Sequence, residues 1–174
     1  MGYKKTKEVK NIFNKISCNY DFLNNLFSLG LHKIWKNKLI YLLNPKHGES
    51  WADLCCGTGD LSFLICKKVA PHGSVIGIDS AKEILNIAKK RSKFFGNKFI
   101  KWEMKDILDM DENLNTFDGV CMSYGLRNLV NVEEGLKKVF SLLSDSGRAG
   151  FLDFNHSKLN SPADIFQKIY LRLI

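Results

Sequence analysis

The central feature of this sequence is the stretch Asp53-Leu54-Cys55-Cys56-Gly57-Thr58-Gly59-Asp60. A short apolar run that starts at Trp51 leads into the stretch, and a helical pattern follows it. The two glycines permit positive φ angles where the chain reverses, and they remove Cβ atoms that would hold a ligand away from the backbone. The stretch therefore predicts a strand, a tight loop and the start of a helix, with room for a nucleotide-like ligand against the main chain.

Two kinds of nucleotide-binding loop compete for this sequence. Dinucleotide-binding folds use G-x-G-x-x-G, whereas S-adenosylmethionine-binding folds place an acidic residue at the strand end before G-x-G. Here Ser62 stands where the third glycine would fall, and Asp53 precedes the glycines by four residues. A carboxylate at that place repels a pyrophosphate but can face the ammonium or sulfonium group of S-adenosylmethionine. A lone G-x-G is a weak signal, so an ordinary strand-to-helix turn remains an alternative.

The length and composition indicate one ordinary globular domain. The chain has 174 residues, of which 45% are hydrophobic and 25% charged. Its apolar runs are far shorter than the roughly 18 residues of a membrane span, and the lysine-rich N-terminus lacks a signal-peptide core, so we expect a cytoplasmic protein. The five cysteines are odd in number and show no C-x-x-C spacing, which favours reduced, packed thiols and predicts no metal site.

The net charge of +8 is compatible with attraction to nucleic acid or to an anionic membrane surface. Only four of the 26 basic residues are arginines, and the lysines are scattered along the chain. This pattern favours solvated surface charge, so we expect no nucleic-acid partner.

The first 47 residues lie outside the regular alternation of strands and helices and predict an N-terminal helical cap, residues 1–47. Residues 4–16 carry Val9, Ile12, Phe13 and Ile16 at helical spacing, with a basic polar face. A further helix runs from Trp35 toward Leu43 and ends at Asn44-Pro45.

Residues 48–174 predict an α/β core with a Rossmann-like, mostly parallel sheet and helices on both faces. Capping boxes are predicted at Ser80 with Glu83 and at Asn131 with Glu134, and residues 144–147 predict a turn. A last amphipathic helix over 162–174 ends the chain where such a sheet usually continues, so C-terminal strands are expected to be missing. The predicted strands are Trp51–Cys55, Ser74–Asp79, Lys98–Met104, Phe117–Ser123 and Arg148–Phe154, and the predicted helices are 60–69, 81–93 and 132–143. The last of these helices is predicted to carry one apolar stripe, formed by Val132, Leu136, Val139, Phe140 and Leu143.

Acidic side chains stand at the carboxyl ends of the predicted strands, where an open α/β sheet binds its ligand. Asp79 can accept both hydroxyls of a ribose, and Asp106 can accept an adenine amino group while Ile107 packs on the ring. The fourth strand leads into Ser123-Tyr124-Gly125-Leu126-Arg127-Asn128. One acid at a strand end is more often a helix cap, but the whole set in register favours a cofactor site.

This set of residues resembles the class I S-adenosylmethionine-dependent methyltransferases. Within them, the chain is similar to the ubiquinone/menaquinone biosynthesis C-methyltransferase family, in particular to its branch that methylates demethylphylloquinone. The segments that carry the resemblance are Tyr20-Asp21-Phe22-Leu23-Asn24, Ser28-Leu29-Gly30-Leu31-His32, Trp35-Lys36, Asp53 to Asp60, and Tyr124-Gly125-Leu126-Arg127-Asn128.

The resemblance implies roles for particular residues. The residues that match the family's cofactor loop and contacts are Gly57, Thr58, Gly59, Asp79, Asp106, Ile107 and Ser123. Asp53 is a candidate cofactor residue through its charge alone. Tyr20, Asn24, His32 and Trp35 match an N-terminal signature that covers the cofactor and shapes a quinone pocket, to which Tyr124 is added. One departure is that Asp153 stands where glutamate is common.

The expected reaction is methyl transfer from S-adenosylmethionine to a ring carbon of a lipid-tailed quinol. Loss of the neighbouring hydroxyl proton activates that carbon, and Arg127 is the candidate positive charge for the phenolate, with Asn128 or His32 orienting the hydroxyl or a water. Structural alternatives remain open: Arg127 can pair with Asp60 or Glu133, and His32, Tyr20 and Trp35 can serve only in packing.

Partners and other functions follow from the same features. A lipid-tailed substrate gives the basic N-terminal helix and residues 22–27 a role in contact with the membrane surface, and a homodimer is compatible with the sequence. The alternatives are an RNA or small-molecule methyltransferase, suggested by the positive charge, and a truncated cofactor-binding module without catalysis.

Overall fold

The computed structural model describes residues 31–110 and 116–153. The helices predicted over 4–16 and 162–174, the residues Tyr20 and Asn24, and most of the predicted cap lie outside the described residues.

The described residues form one parallel sheet with helices packed against it. Its strands are β1 (Ser50–Leu54), β2 (Ser74–Asp79), β3 (Ile100–Met104), β4 (Phe117–Ser123) and β5 (Leu143–Leu152), in the order β3-β2-β1-β4-β5. The helices are α1 (Leu31–Leu43), α2 (Asp60–Val69), α3 (Lys82–Phe94) and α4 (Val132–Leu142), with short 3-10 turns at Ile107–Asp109 and Leu126–Asn128. The predicted Rossmann-like α/β fold is confirmed.

The central strand β1 buries side chains on both of its sides because the sheet is covered on both faces. Trp51 points into a core formed with α1 and α2, which includes Ile40, Leu43 and Leu61. Its neighbour Ala52 points into a second core on the other side, which includes Leu142 of α4. The one helix of the predicted cap that the structure describes thus shares a core with the sheet.

Several predicted element ends differ from the structure: α1 begins at Leu31 instead of Trp35 and β3 at Ile100 instead of Lys98, and further differences concern α3 and β5. The Ser80–Glu83 capping box does not form, because the N-cap of α3 is Ala81, whose backbone N–H donates to the Asp79 carboxylate. Strand β5 begins at Leu143, directly after α4, instead of at Arg148. The predicted turn at residues 144–147 is an irregularity within that strand, between the pairs Phe117–Leu143 and Gly119–Arg148. The Asn131 cap is confirmed, since its side chain accepts the Glu134 N–H.

The single apolar stripe predicted on α4 is also wrong. Val139 is buried and Leu143 lies in the next strand, whereas Val132, Leu136 and Phe140 are exposed. The buried side of α4 includes Gly135, whose added Cβ would meet Leu129, and Lys138, whose ammonium donates to the Met110 carbonyl. A lysine with a carbonyl partner can replace an apolar residue on a packed face, which hydrophobic spacing does not reveal.

Arg148 ties the amino-terminal side of the sheet to the end of α1. Its guanidinium donates to the carbonyls of Leu43, Asn44 and Asp118 and to both carboxylate oxygens of Glu49. It also lies 4.9 Å from the centroid of the Trp51 ring. One side chain of β5 therefore joins α1, β4 and the residues that enter β1.

None of the helices in the described ranges combines the length and the hydropathy that crossing a membrane requires.

Candidate cofactor and substrate site

The loop after β1 adopts the positive φ angles that its glycines predict, at Gly57 (57°) and Gly59 (88°), and Cys55 is also left-handed at 52°. The two glycines serve different purposes. A Cβ on Gly57 would have a single neighbour, Ile84 Cγ2 at 3.9 Å, so the backbone there is open to close approach. A Cβ on Gly59 would lie 2.4 Å from the ring of Trp102. Gly57 leaves room for a ligand, whereas Gly59 makes room for Trp102.

Asp79 ends β2 beside this loop. One carboxylate oxygen accepts the Gly57 N–H at 2.9 Å and the other accepts the Ala81 N–H at 2.8 Å. Each oxygen of a carboxylate can accept more than one hydrogen bond. The backbone therefore fixes the carboxylate beside Gly57, as expected for a group that accepts the hydroxyls of a ribose.

Asp53 lies elsewhere than the sequence suggested. Its side chain is 1% exposed, one carboxylate oxygen accepts both the backbone N–H and the hydroxyl of Ser62, and the other lies 3.6 Å from the Cys121 sulfur. Burial raises its pKa to about 6, although the hydrogen bonds lower it in part. The expectation that Asp53 faces the charged groups of the cofactor is not supported. Its carboxylate instead holds the first turn of α2.

The other two predicted cofactor strands end at the same edge of the sheet. Asp106 follows β3, caps a 3-10 turn through the Leu108 N–H, and is followed by the buried Ile107. Ser123 is the partly buried last residue of β4. The structure therefore brings Asp79, Asp106 and Ser123 to the carboxyl edge of one parallel sheet.

Thr58 is 4% exposed, between the two glycines. Its carbonyl accepts a hydrogen bond of 2.7 Å from Arg91 of α3. Arg91 also pairs with Asp60 at 2.9 Å, and Asp60 pairs with Lys36 of α1 at 2.9 Å. Burial raises the pKa of the Asp60 carboxyl, but the charges of Lys36 and Arg91 and their hydrogen bonds outweigh it and lower the pKa to about 2. Three helices meet at this ionised carboxylate.

Arg127 forms its ion pair with Asp153, not with Asp60 or Glu133. The guanidinium lies 3.0 Å from one Asp153 oxygen, and the Arg127 backbone N–H donates to the other at 3.2 Å. The structural alternative predicted from sequence is therefore wrong in its partners, since Glu133 pairs with Lys137. Asp153 follows β5, so it fixes Arg127 at the carboxyl edge of the sheet.

Tyr124 and Asn128 lie beside Arg127. Tyr124 has a positive φ of 59°, and its ring centroid is 5.7 Å from the Arg127 guanidinium carbon and 6.0 Å from the Lys36 ammonium. The Asn128 side chain donates to the Tyr124 carbonyl at 3.3 Å. Asn128 therefore supports the turn that carries Tyr124 and Arg127.

The two described residues of the N-terminal signature lie on α1. His32 is 5% exposed and faces the protein interior, whereas Trp35 is 37% exposed. Tyr20 and Asn24 lie outside the described residues.

The thiols of the loop are poor nucleophiles. Burial raises the pKa of Cys55 and of Cys56, and the nearby carboxylates Asp79 and Asp53 raise them further. These cysteines fit the packing role that the sequence predicts. In residues 31–110 and 116–153, no group of three or more His, Cys, Asp and Glu side chains could hold a metal ion.

Sequence reasoning missed the supporting residues of the site, which are Lys36, Arg91, Trp102 and the pairing role of Asp153. The sequence does contain one signal for Trp102. Gly77 and Gly59 both lack a Cβ that would clash with its ring, so glycines at these two positions indicate a large side chain packed between them.

Solved structures with a similar fold come from several organisms. A putative S-adenosylmethionine-dependent methyltransferase from Methanococcus maripaludis has a TM-score of 0.69 and 18% identity, covering 92% of this chain and 71% of that one. A phosphoethanolamine N-methyltransferase from Haemonchus contortus, solved with S-adenosylmethionine, has a TM-score of 0.66 and 14% identity, covering 79% and 32%. At these identities the likeness concerns the fold alone.

Sequence relatives are closer. A 2-phytyl-1,4-naphtoquinone methyltransferase of Thermosynechococcus vestitus is 39% identical over 164 residues, covering 94% of this chain and 72% of the relative. The chloroplastic 2-phytyl-1,4-beta-naphthoquinone methyltransferase of Arabidopsis thaliana is 40% identical over 88% of this chain and 60% of the relative. A demethylmenaquinone methyltransferase of Lactobacillus johnsonii is 35% identical over 84% and 61%. Together with the sequence model of the ubiE/COQ5 methyltransferase family, which matches residues 1–173, these relatives show that the chain belongs to that family.

Proposed function

We propose that this chain is an S-adenosylmethionine-dependent C-methyltransferase that acts on the ring of a prenylated naphthoquinol or benzoquinol. Its family consists of methyltransferases, and the relatives compared above are named for a phytyl naphthoquinone and for demethylmenaquinone. The observation that carries the proposal is the open Gly57 backbone beside the fixed Asp79 carboxylate. Demethylphylloquinone or demethylmenaquinone in its reduced form is the proposed acceptor.

The described residues fit the cofactor. At Gly57, a missing Cβ leaves space for close approach to the backbone, and Asp79 offers two oxygens to the paired hydroxyls of a ribose. Asp106 and Ile107 offer an acceptor and an apolar surface at the next strand end, as an adenine requires. Bound there, S-adenosylmethionine supplies an activated methyl group.

On the substrate side, Arg127 is the proposed electrostatic group. A guanidinium is a fixed positive charge and stabilises a phenolate beside it. The phenolate oxygen in turn raises the electron density on the neighbouring ring carbon, which accepts the methyl group. Asp153 holds Arg127 through one contact to the guanidinium and one to the backbone N–H, which limits the freedom of the side chain before the substrate arrives. Tyr124 lies next to the guanidinium and is proposed to line the quinol pocket. His32 and Trp35, together with Tyr20 and Asn24 outside the described residues, remain proposals for the cap side of the pocket.

We also propose that the protein works at a membrane surface, because a phytyl or menaquinone-type tail resides in the bilayer. Helix α1 supports this proposal. It contains no acidic residue, and Ile34, Tyr41 and Leu42 on its surface are 63%, 75% and 67% exposed. Exposed apolar and aromatic residues interleaved with lysines are typical of helices that lie on anionic lipid.

Sedimentation with anionic phosphatidylglycerol vesicles tests this contact. Ile34→Gln with Tyr41→Gln should weaken binding at low salt, whereas the control Phe94→Gln, at an 85% exposed phenylalanine of α3, should not. Equal binding of both variants and the wild type would contradict a role for α1.

The proposed activity is tested by transfer of labelled methyl from S-adenosylmethionine to reduced demethylphylloquinone in detergent micelles. Asp79→Ala should lose cofactor binding and incorporation, whereas Arg127→Ala should lose incorporation and keep binding. Cofactor binding without incorporation into any quinol would favour a non-catalytic binding module. Incorporation into RNA instead would favour the alternative that the net charge of +8 suggests.

A further inference from the structure

Lys36 lies between two functional loops although it belongs to α1. Its side chain is only 11% exposed, and its ammonium lies 2.9 Å from Asp60, the first residue of α2. The same ammonium lies 6.0 Å from the ring centroid of Tyr124, which directly follows β4. Lys36 therefore reaches from a separate helix to the loops that leave β1 and β4.

These two loops border the point where the order of the sheet reverses. The chain runs from β1 to β2 and β3 on one side, and then returns to place β4 and β5 on the other side of β1. Ligands of open α/β sheets bind in the crevice that this reversal opens at the carboxyl ends of the strands. The Lys36 ammonium is thus positioned at the crevice and not on an outer surface.

Two cations, Lys36 and Arg91, share the Asp60 carboxylate, each at 2.9 Å. The buried Asp53 carboxylate also interacts electrostatically with Lys36. Arg91 is engaged elsewhere as well, since it donates to the Thr58 carbonyl and stacks on Phe63 at 5.0 Å. An ammonium group has three N–H donors, and Asp60 accepts one of those of Lys36. Lys36 can therefore donate to a further anionic group.

The ligand of the proposed function carries such a group at one end only. Its methionyl end bears a carboxylate, while Asp79 and Asp106 serve its ribose and adenine. We propose that Lys36, oriented by Asp60, binds the carboxylate of the methionyl end of S-adenosylmethionine. The inference rests on the proposed function and assigns the residue that fixes the reactive end of the cofactor.

The test compares three ligands by isothermal titration. S-adenosylmethionine has the carboxylate, decarboxylated S-adenosylmethionine lacks only that group, and 5′-methylthioadenosine lacks the whole amino-acid end. Lys36→Met should weaken binding of S-adenosylmethionine about ten-fold or more, as expected for loss of a charge-assisted hydrogen bond. Binding of the other two ligands should change by less than about two-fold, because they do not contain the group that Lys36 contacts.

Two further variants control the result. Lys36→Arg keeps the positive charge and should restore much of the affinity for S-adenosylmethionine, whereas Lys33→Met removes an exposed lysine of the same helix and should leave all three affinities unchanged. Equal weakening of all three ligands by Lys36→Met would overturn the inference, since it would assign Lys36 a general structural role. If the wild type binds none of the three, the proposed function itself fails. If it binds all three and Lys36→Met changes none, the inference alone fails.

Discussion

Gly59 and Gly48 offer a matched test of how the cofactor loop is packed. Their φ angles are nearly equal, 88° and 87°, so replacement by alanine places a side chain on a left-handed φ at both. Their surroundings differ. A Cβ on Gly48 would meet nothing within 4 Å, whereas one on Gly59 would lie 2.4 Å from Trp102 and 3.3 Å from Phe63. The difference between the two substitutions therefore isolates the steric contact.

The strain of a left-handed alanine costs about 1–2 kcal/mol, and this is the whole expected effect of Gly48→Ala. Gly59→Ala should cost about 1–3 kcal/mol more, the usual penalty for overpacking. Trp102 cannot easily move aside, because a Cβ on Gly77 would also lie 2.5 Å from its ring and Phe63 packs on it at 5.7 Å between ring centroids. The indole is thus confined between two glycines.

Urea denaturation of both alanine variants measures these costs, with Trp102→Leu as a second background. In that background, the penalty of Gly59→Ala should fall toward that of Gly48→Ala, because the contact with the indole no longer exists and only Phe63, at 3.3 Å, remains. Equal destabilisation by the two glycine substitutions in the wild-type background would show that Trp102 does not restrict Gly59, and so would a Gly59→Ala penalty that persists in full without the indole.

Three further predictions concern charge. The folded state raises the pKa of Asp53 from 3.8 to about 6, so the wild-type protein is most stable below pH 3.8 and loses stability as the pH rises to about 6. In urea titrations, the free energy of unfolding of Asp53→Asn should therefore increase by about 3 kcal/mol relative to wild type between pH 4 and pH 7. A difference between the two proteins that does not change with pH would contradict this prediction. Asp60 should show the opposite sign, since its folded pKa of about 2 confers stability that is present above pH 4 and lost as the pH falls, so the deficit of Asp60→Asn should shrink on acidification. Asp153→Asn should lower kcat for methyl transfer about ten-fold with little change in the KM for S-adenosylmethionine, because it loosens Arg127 and not the cofactor loop; an equal effect on KM would indicate a general structural role.

The architecture was predictable because each strand and helix has a strong periodic signal. Strands β2 and β4 and helix α2 have the predicted bounds, and the glycine loop has the predicted positive φ angles. Asp79 and Asp106 could be placed at one edge of the sheet because parallel strands that alternate with helices bring their carboxyl ends together.

The partners of individual side chains were not predictable. Asp53 was expected at the ligand, but the hydroxyl and N–H of Ser62 enclose it, and nothing in the local spacing distinguishes these two outcomes. Arg127 pairs with Asp153, 26 residues away, because β4 and β5 end side by side. Such contacts depend on how strands pair across the sheet, which hydrophobic periodicity does not encode.

The contacts of Arg148 have a consequence for folding during synthesis on the ribosome. Leu43 and Asn44 are separated from this arginine by more than 100 residues of sequence, and Glu49 by 99. A nascent chain that has emerged only through β4 can pair four strands, but the carbonyls that end α1 and the Glu49 carboxylate still lack their guanidinium partner. Because distant contacts form only after the intervening chain is available, the side of the sheet where β1 begins is completed last, when β5 has left the ribosome.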